Sequence, residues 1–117
     1  MSERDYKVYI DDILEAIEKI ERYTEKLDFS EFSKDLKTVD ATIRNFEIIG
    51  EAARRIPSDI KKQHSDIPWK IMTGMRNKLV HEYFGVDKKV LWKTIKEDLS
   101  PLKPLVAQIQ KGRKKLL

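Results

Sequence analysis

Apolar residues recur at steps of three and four along nearly the whole chain, and no stretch alternates with a period of two. That is the pattern of amphipathic helices and not of strands. The first run, from about Asp5 to Leu27, sets Tyr6, Tyr9, Ile10, Ile13, Ile17, Ile20, Tyr23 or Thr24, and Leu27 along one seam. Charges fill its other face, where Glu15 with Lys19 and Glu18 with Arg22 are i,i+4 pairs in the favourable order. Asp28 to Ser33 reads as a connection, with Ser30 and Ser33 as N-cap candidates and Phe29 and Phe32 folding back onto the core.

A second long helix is expected over roughly Lys34 to Ile56, burying Leu36, Val39, Ile43, Phe46, Ile49, Ala53 and Ile56 and stopped by Pro57. Its Gly50 costs helix stability, about 1 kcal/mol relative to alanine. Close approach of another helix through Gly74 would account for it. Ser58 to Ser65 reads as a short helix with Ser58 as its cap, and His64 near its end reads as a surface histidine. Pro68 opens the next helix, anchored by Trp69, with Ile71, Met72, Met75, Leu79 and Val80 on its buried side. That helix ends near Phe84, before Gly85, which suits a left-handed C-terminal turn.

Asp87 is then the N-cap of a last helix that carries Val90, Leu91, Ile95 and Leu99, is kinked or restarted at Ser100-Pro101, and continues through Leu102, Leu105, Val106 and Ile109. The basic end from Lys111 to Leu117 reads as a solvated tail. The predicted fold class is all-α: an antiparallel helical bundle of four main helices plus one short helix, with a kinked last helix.

Length and composition narrow this little. At 117 residues and 40% apolar content the chain holds one modest core, and residues 1–117 are expected to form one domain. The absence of cysteine removes disulfides and thiolate metal sites and fits a cytoplasmic setting. The start of the chain has no signal-peptide core, and no apolar run approaches the roughly 18 residues that span a bilayer. Charge changes the picture more. Met1 to Glu51 carries 14 acidic and 8 basic residues, net −6, while Ala52 to Leu117 carries 6 acidic and 16 basic, net +10, which sum to the overall +4. A positive field of that kind attracts a polyanion, unless the lysines only solvate two helices.

The basic half contains the chain's candidate chemistry. Met75 to Gly85 places Arg76, Asn77, His81 and Tyr83 on a short run of helix. A histidine with an ordinary pKa of roughly 6.5 exchanges protons near neutral pH, and an arginine fork fits phosphate oxygens. Such a pair can act on a phosphodiester without a metal or cofactor, and two distant histidines with no carboxylate at ligand spacing suggest no metal site. On one straight helix, however, Arg76 and His81 lie about 140° apart, while Asn77 and His81 share a face. Either the arginine stem reaches around, or a second copy related by a twofold axis completes the site across a cleft. Glu51 is a candidate partner for Arg76, or is simply exposed. Tyr83 on its own reads as a core or rim aromatic.

Arg76, His81 and Tyr83 together resemble the R-x4-H-x-Y motif of the HEPN superfamily, and most closely its HepT-like ribonuclease toxins. The Arg44 to Ala53 run, the Ile67-Pro68-Trp69 entry to the motif helix, the Gly85-Val86-Asp87 exit and Leu91-Trp92 carry the likeness over nearly the whole chain. The resemblance implies a metal-independent endoribonuclease toxin of a toxin–antitoxin pair, acting as a homodimer with Arg76 and His81 in an intersubunit cleft. It implies Asn77 and Glu51 as supporting or substrate-binding residues. It also implies that a nucleotidyltransferase antitoxin transfers AMP to the Tyr83 hydroxyl, giving an O-AMP-tyrosine. Two other readings stay open here: a non-catalytic helical dimer that serves as binding partner of a nucleotidyltransferase, and a structural dimer that packs His81 at its interface.

Overall fold

The computed structural model describes the backbone of residues 5–81 and 87–115 and the side chains of residues 5–75 and 87–111. Every regular element among them is helical: α1 (Tyr6–Thr24), α2 (Phe29–Lys34), α3 (Leu36–Arg54), α4 (Ser58–Gln63), α5 (Trp69–His81), α6 (Lys88–Lys93) and α7 (Ser100–Lys115), with a π-helical stretch, Thr94–Leu99, joining the last two. The all-α bundle expected from the sequence is the fold found. It has one short helix more than expected, α2.

Local signals explain the elements. The carboxylate of Asp5 accepts from the Lys7 amide at 3.0 Å and starts α1. The seam read from the sequence is the buried stripe of that helix: Ile10, Ile13, Ile17 and Ile20 are wholly inaccessible to solvent, and of Tyr23 and Thr24 it is Thr24 that is buried. Thr24 is accommodated because its hydroxyl donates to the Ile20 carbonyl at 2.8 Å. Glu15 pairs with Lys19 at 3.2 Å as its spacing predicts, whereas Glu18 faces Lys103 of α7 at 4.0 Å.

The segment expected to be a plain connection is α2, and its cap is not a serine. Asp28 accepts from the Glu31 amide at 2.8 Å while Glu31 accepts from the Asp28 amide at 3.0 Å, a reciprocal capping box. A carboxylate at both positions satisfies two amides at once, which Ser30 and Ser33 do not; the Ser33 hydroxyl instead donates to the Ser30 carbonyl within the turn. Likewise α3 is capped by Asp35, which takes bonds from the Thr38 hydroxyl at 2.7 Å and the Thr38 amide at 3.1 Å. Those bonds, the side-chain one foremost, hold the Asp35 carboxyl below the usual carboxylate range.

Packing runs in sequence through the bundle. α3 lies between α1 and α5, and α1 also packs on α7. Lys103 reaches Glu21 at 3.2 Å while Gln110 reaches Asp11 at 2.8 Å, so α7 descends as α1 ascends. Phe32, Phe46, Ile49, Met72, Leu99, Leu102 and Val106 complete one apolar core. Two expected core residues stay out of it. Leu36 is 63% exposed because it sits at the first turn of α3, beyond the reach of α1, and Ile71 is 54% exposed on the outer side of α5. Gly74 does not mediate a close helix contact, since a Cβ built there would meet nothing within 4 Å.

The last helix departs from regularity one turn before the proline. Lys93, Thr94 and Ser100 all keep right-handed helical backbone, and the change is the wider Thr94–Leu99 turn and not a break at Pro101. Two causes converge on it. Pro101 and Pro104 carry no N–H, which removes two bonds to the preceding turn. The buried residues Leu91, Ile95 and Leu99 are also spaced by successive fours, which in an α-helix would rotate the stripe by about 40° at each step. A turn holding more residues takes up that rotation, so Leu102, Val106 and Ile109 still face the core.

One core residue lacks a partner. The hydroxyl of Thr42, wholly buried on α3, makes no hydrogen bond among the described residues. Thr42→Val is therefore expected to stabilise the fold by about 1 kcal/mol, because it removes a desolvated donor while keeping the shape. The check is a urea or thermal midpoint, and an unchanged or lower midpoint would show the hydroxyl to be satisfied.

Candidate functional site

The start of the motif helix, and the helix that follows the motif, are each held in the bundle by described contacts. At its start Ile67 and Trp69 are buried, the Trp69 indole N–H donates to the His64 carbonyl at 3.1 Å, and the Met72 amide takes the Pro68 carbonyl as its first helical partner at 3.1 Å. Met72 and Met75 then seat α5 on α3. Beyond the motif, Asp87 caps α6 by accepting from the Lys89 amide at 2.9 Å, as its position in the sequence predicts. α6 is held by buried Leu91 and by Trp92, whose ring lies 5.0 Å from Phe32 and 6.3 Å from Phe29 of α2. Lys96 sits 4.6 Å over the same indole, and Lys88 donates to the Ser33 carbonyl at 2.8 Å. The sequence blocks on either side of the motif are thus each held by packing, Trp69 at the start of α5 and Leu91 and Trp92 on α6.

Positions 76, 77 and 81 belong to α5, so the helical spacing used above applies: 77 and 81 follow 70 and 74 along one stripe, and 76 follows 69, 72 and 73. Lys70 and Ile71 on the outer side of α5 are exposed, and Met72 and Met75 are buried. The side chains of Arg76, Asn77 and His81, and Tyr83 as a whole, lie outside the described residues.

Glu51 is described. It stands on α3, half-buried, with its carboxylate 3.3 Å from Arg54 and 3.7 Å from Arg55, one turn further along the same helix. It borders an open groove of about 550 Å³ between α1 and α3, shared with Tyr9, Asp12, Arg44, Glu47 and Arg55. The mixed charge of this groove was not read from the sequence; the signal was there in the spacing of Arg44, Glu47, Glu51 and Arg55 by three, four and four. His64, expected at the surface without a catalytic part, is half-buried and ends α4, with its carbonyl taken by Trp69.

Two further hollows flank α5. One, of about 240 Å³, lies between α3, α5 and α6 and is lined by Phe46, Gly74, Met75, Leu91, Thr94 and Asp98 among others. The other is a shallow trough of about 850 Å³ along the α4–α5 corner. No group of histidine, cysteine and carboxylate residues fit to hold a metal is found among the described residues, and no described helix is long and apolar enough to cross a membrane.

The sequence model of the family described as HepT-like, "Ribonuclease HepT-like", matches residues 13–109, a span that runs from the buried stripe of α1 to Ile109 of α7 and includes the whole motif. The chain belongs to the HepT-like ribonuclease family. Among its relatives is the "Probable ribonuclease HepT" of Thermococcus cleftensis, 52% identical over 108 residues, which are 92% of this chain and 98% of that one. The "Putative RNase MJ1380" of Methanocaldococcus jannaschii is 44% identical over 103 residues, 88% of this chain and 94% of that one. A longer protein of the same organism, "Gamma-glutamylcyclotransferase and putative RNase MJ0434", is 40% identical over 106 residues, 91% of this chain and 48% of that one. No solved structure matches. These HepT-like relatives cover helices α1 to α7 together, so the matched unit is the bundle and not the motif alone.

Proposed function

We propose that this HepT-like chain is a metal-independent endoribonuclease in which Arg76 and His81 act together on one phosphodiester. The observation that carries the reading is the placement of positions 76 and 81 of the R-x4-H-x-Y motif on α5, a helix whose start is held by Trp69, in a chain of a ribonuclease family. RNA supplies its own nucleophile. One neutral His81 takes the proton of the 2′-hydroxyl, the freed oxygen attacks phosphorus, and the bond to the 5′-oxygen breaks as a protonated His81 returns a proton to it. Arg76 holds the charge that grows on the non-bridging oxygens. Because these roles need two imidazole states and lie on different stripes of one helix, two copies of the chain meet across a cleft, each giving an Arg76 and a His81. Asn77 orients His81 or contacts phosphate, and Glu51 stands ready as a counter-charge to the guanidinium groups near it.

Tyr83 is the regulatory position in this proposal. Transfer of AMP to its hydroxyl by a nucleotidyltransferase antitoxin would set a bulky anion close to Arg76, where it competes with RNA phosphate. The purified homodimer is expected to cut single-stranded RNA in the presence of a chelator, to leave 2′,3′-cyclic phosphate ends, and to spare the same sequence made as DNA. Mass spectrometry of the products decides this. Products ending in 3′-hydroxyl groups, or activity that disappears with the chelator, would overturn the mechanism. Coexpression with a nucleotidyltransferase and a peptide map for adenylate on Tyr83 tests the regulatory half separately.

A further inference from the structure

The shallow trough beside α5 brings three lysines together in one hollow. Several other described cations are engaged: Lys19 with Glu15, Arg54 and Arg55 with Glu51, Lys103 with Glu18 and Glu21, Lys88 on a carbonyl and Lys96 on an indole. Along the trough stand Lys61 and Lys62 from α4 and Lys70 from the first turn of α5; among the described residues none of them is in an ion pair and no carboxylate lines the trough. Its floor between them is apolar, with Pro68 and the half-exposed Ile71. Its far end is Gly74, which also borders the smaller hollow on the other side of α5.

Gly74 is informative because nothing among the described residues requires it. A side chain there would meet open space, and glycine in the middle of a helix is less stable than alanine. A bare backbone that intramolecular packing does not use leaves room for something from outside to approach closely. On the helical stripe, position 77 comes three residues after Gly74 and position 81 seven after it, roughly 10 Å along the axis. A strand lying in the trough and passing over Gly74 is therefore delivered to the proposed cleavage site.

We infer that this trough is a binding track for the single-stranded RNA that flanks the cleaved bond, with Lys61, Lys62 and Lys70 on its phosphates, Pro68 and Ile71 under its bases, and Gly74 as the point where its backbone crosses α5. The charge and the apolar floor together fit a polyanion with flat apolar faces, whereas a second copy docked trough against trough would bring six lysines together with no carboxylate of the described lining to meet them. The identity of the occupant rests on the ribonuclease reading; the track itself does not depend on cleavage.

The test uses the full chain and a 2′-O-methyl RNA single strand, which cannot be cleaved, with affinity measured by fluorescence anisotropy across a salt series. The triple variant K61Q/K62Q/K70Q is expected to weaken binding by about tenfold or more and to flatten the dependence of log Kd on log salt by about two contacts' worth. A control triple of exposed lysines elsewhere, K26Q/K37Q/K111Q, is expected to change the affinity by less than about threefold. Gly74→Leu is expected to weaken binding by about tenfold with no fall in Tm. Equal affinity and an equal salt slope for the trough and control triples would overturn the inference. So would loss of the dimer in the trough variants by light scattering, which would assign the face to a second copy. If the wild type binds the strand in this lysine-dependent way but cuts no RNA, the track stands and the nuclease reading falls; if it cuts RNA while the trough variants bind normally, the reverse holds.

Discussion

His81→Ala is expected to lower chelator-resistant RNA cleavage by about 100-fold or more, the usual contribution of a positioned general acid–base group. Arg76→Ala is expected to lower it by a similar factor through lost stabilisation of the phosphorane charge. The two should differ in their pH profiles. Arg76→Lys retains a charge but not the bidentate fork, and is expected to recover only part of the rate while keeping the bell-shaped profile of the parent. His81→Gln keeps size and hydrogen bonding and loses the profile. Mixed dimers sharpen this: a population in which one subunit carries His81→Ala and the other Arg76→Ala retains more activity than either pure variant only when the active site draws on both copies. The measurements are single-turnover rates on a fluorogenic RNA with light scattering on the same samples. Wild-type rates from both pure variants would remove the motif from the chemistry.

Phe46→Ala is expected to be the most damaging single change to the fold, costing about 3–5 kcal/mol. Its ring is wholly buried on α3 and faces both the core and the small hollow under Met75 and Leu91, so its loss opens a cavity where three helices meet. Against a total stability of about 5–15 kcal/mol for a domain of ordinary size, that leaves a marginal protein. Because α3 is the seat of the motif helix, activity is expected to fall with the folded fraction and to return when Phe46→Leu keeps most of the volume. Urea unfolding gives the comparison. A cost below about 1 kcal/mol for Phe46→Ala would show that α5 is positioned by other contacts.

The long helices were plain in the sequence because each carries an uninterrupted seam. Ile10, Ile13, Ile17 and Ile20 repeat the same β-branched residue at steps of three and four, and all four are fully buried. Elements too short to show a period were not. α2 has six residues, too few for a stripe, and only the pairing of Asp28 with Glu31 marks its start. Leu36 and Ile71 were assigned inward by apolar character alone, but a residue at the first turn of a helix, or on the side away from the neighbour, keeps its water whatever its side chain.

Of the site, the order of Arg76, Asn77 and His81 along α5 was legible from spacing, and so were the Pro68-Trp69 and Asp87 boundaries. The surroundings of Glu51 were not. Its described partners, Arg54 and Arg55, stand three and four residues away along the chain, a pairing that the apolar seams do not reveal, and the side chain of Arg76 lies outside the described residues. The trough was hidden for a different reason: Lys61, Lys62 and Lys70 are separated by a turn that folds them side by side, and a linear count of charge records only that the second half is basic.

The π-helical stretch ahead of Pro101 makes the direction of the final helix a matter of arithmetic as much as chemistry. Swapping one residue for another between Thr94 and Leu99 leaves the phase of α7 as it is. Dropping one would turn everything downstream by about 100° and swing Leu102, Val106 and Ile109 toward water, while Lys103 would lose its glutamates on α1. In this small bundle, length itself is a constraint on the sequence at that point.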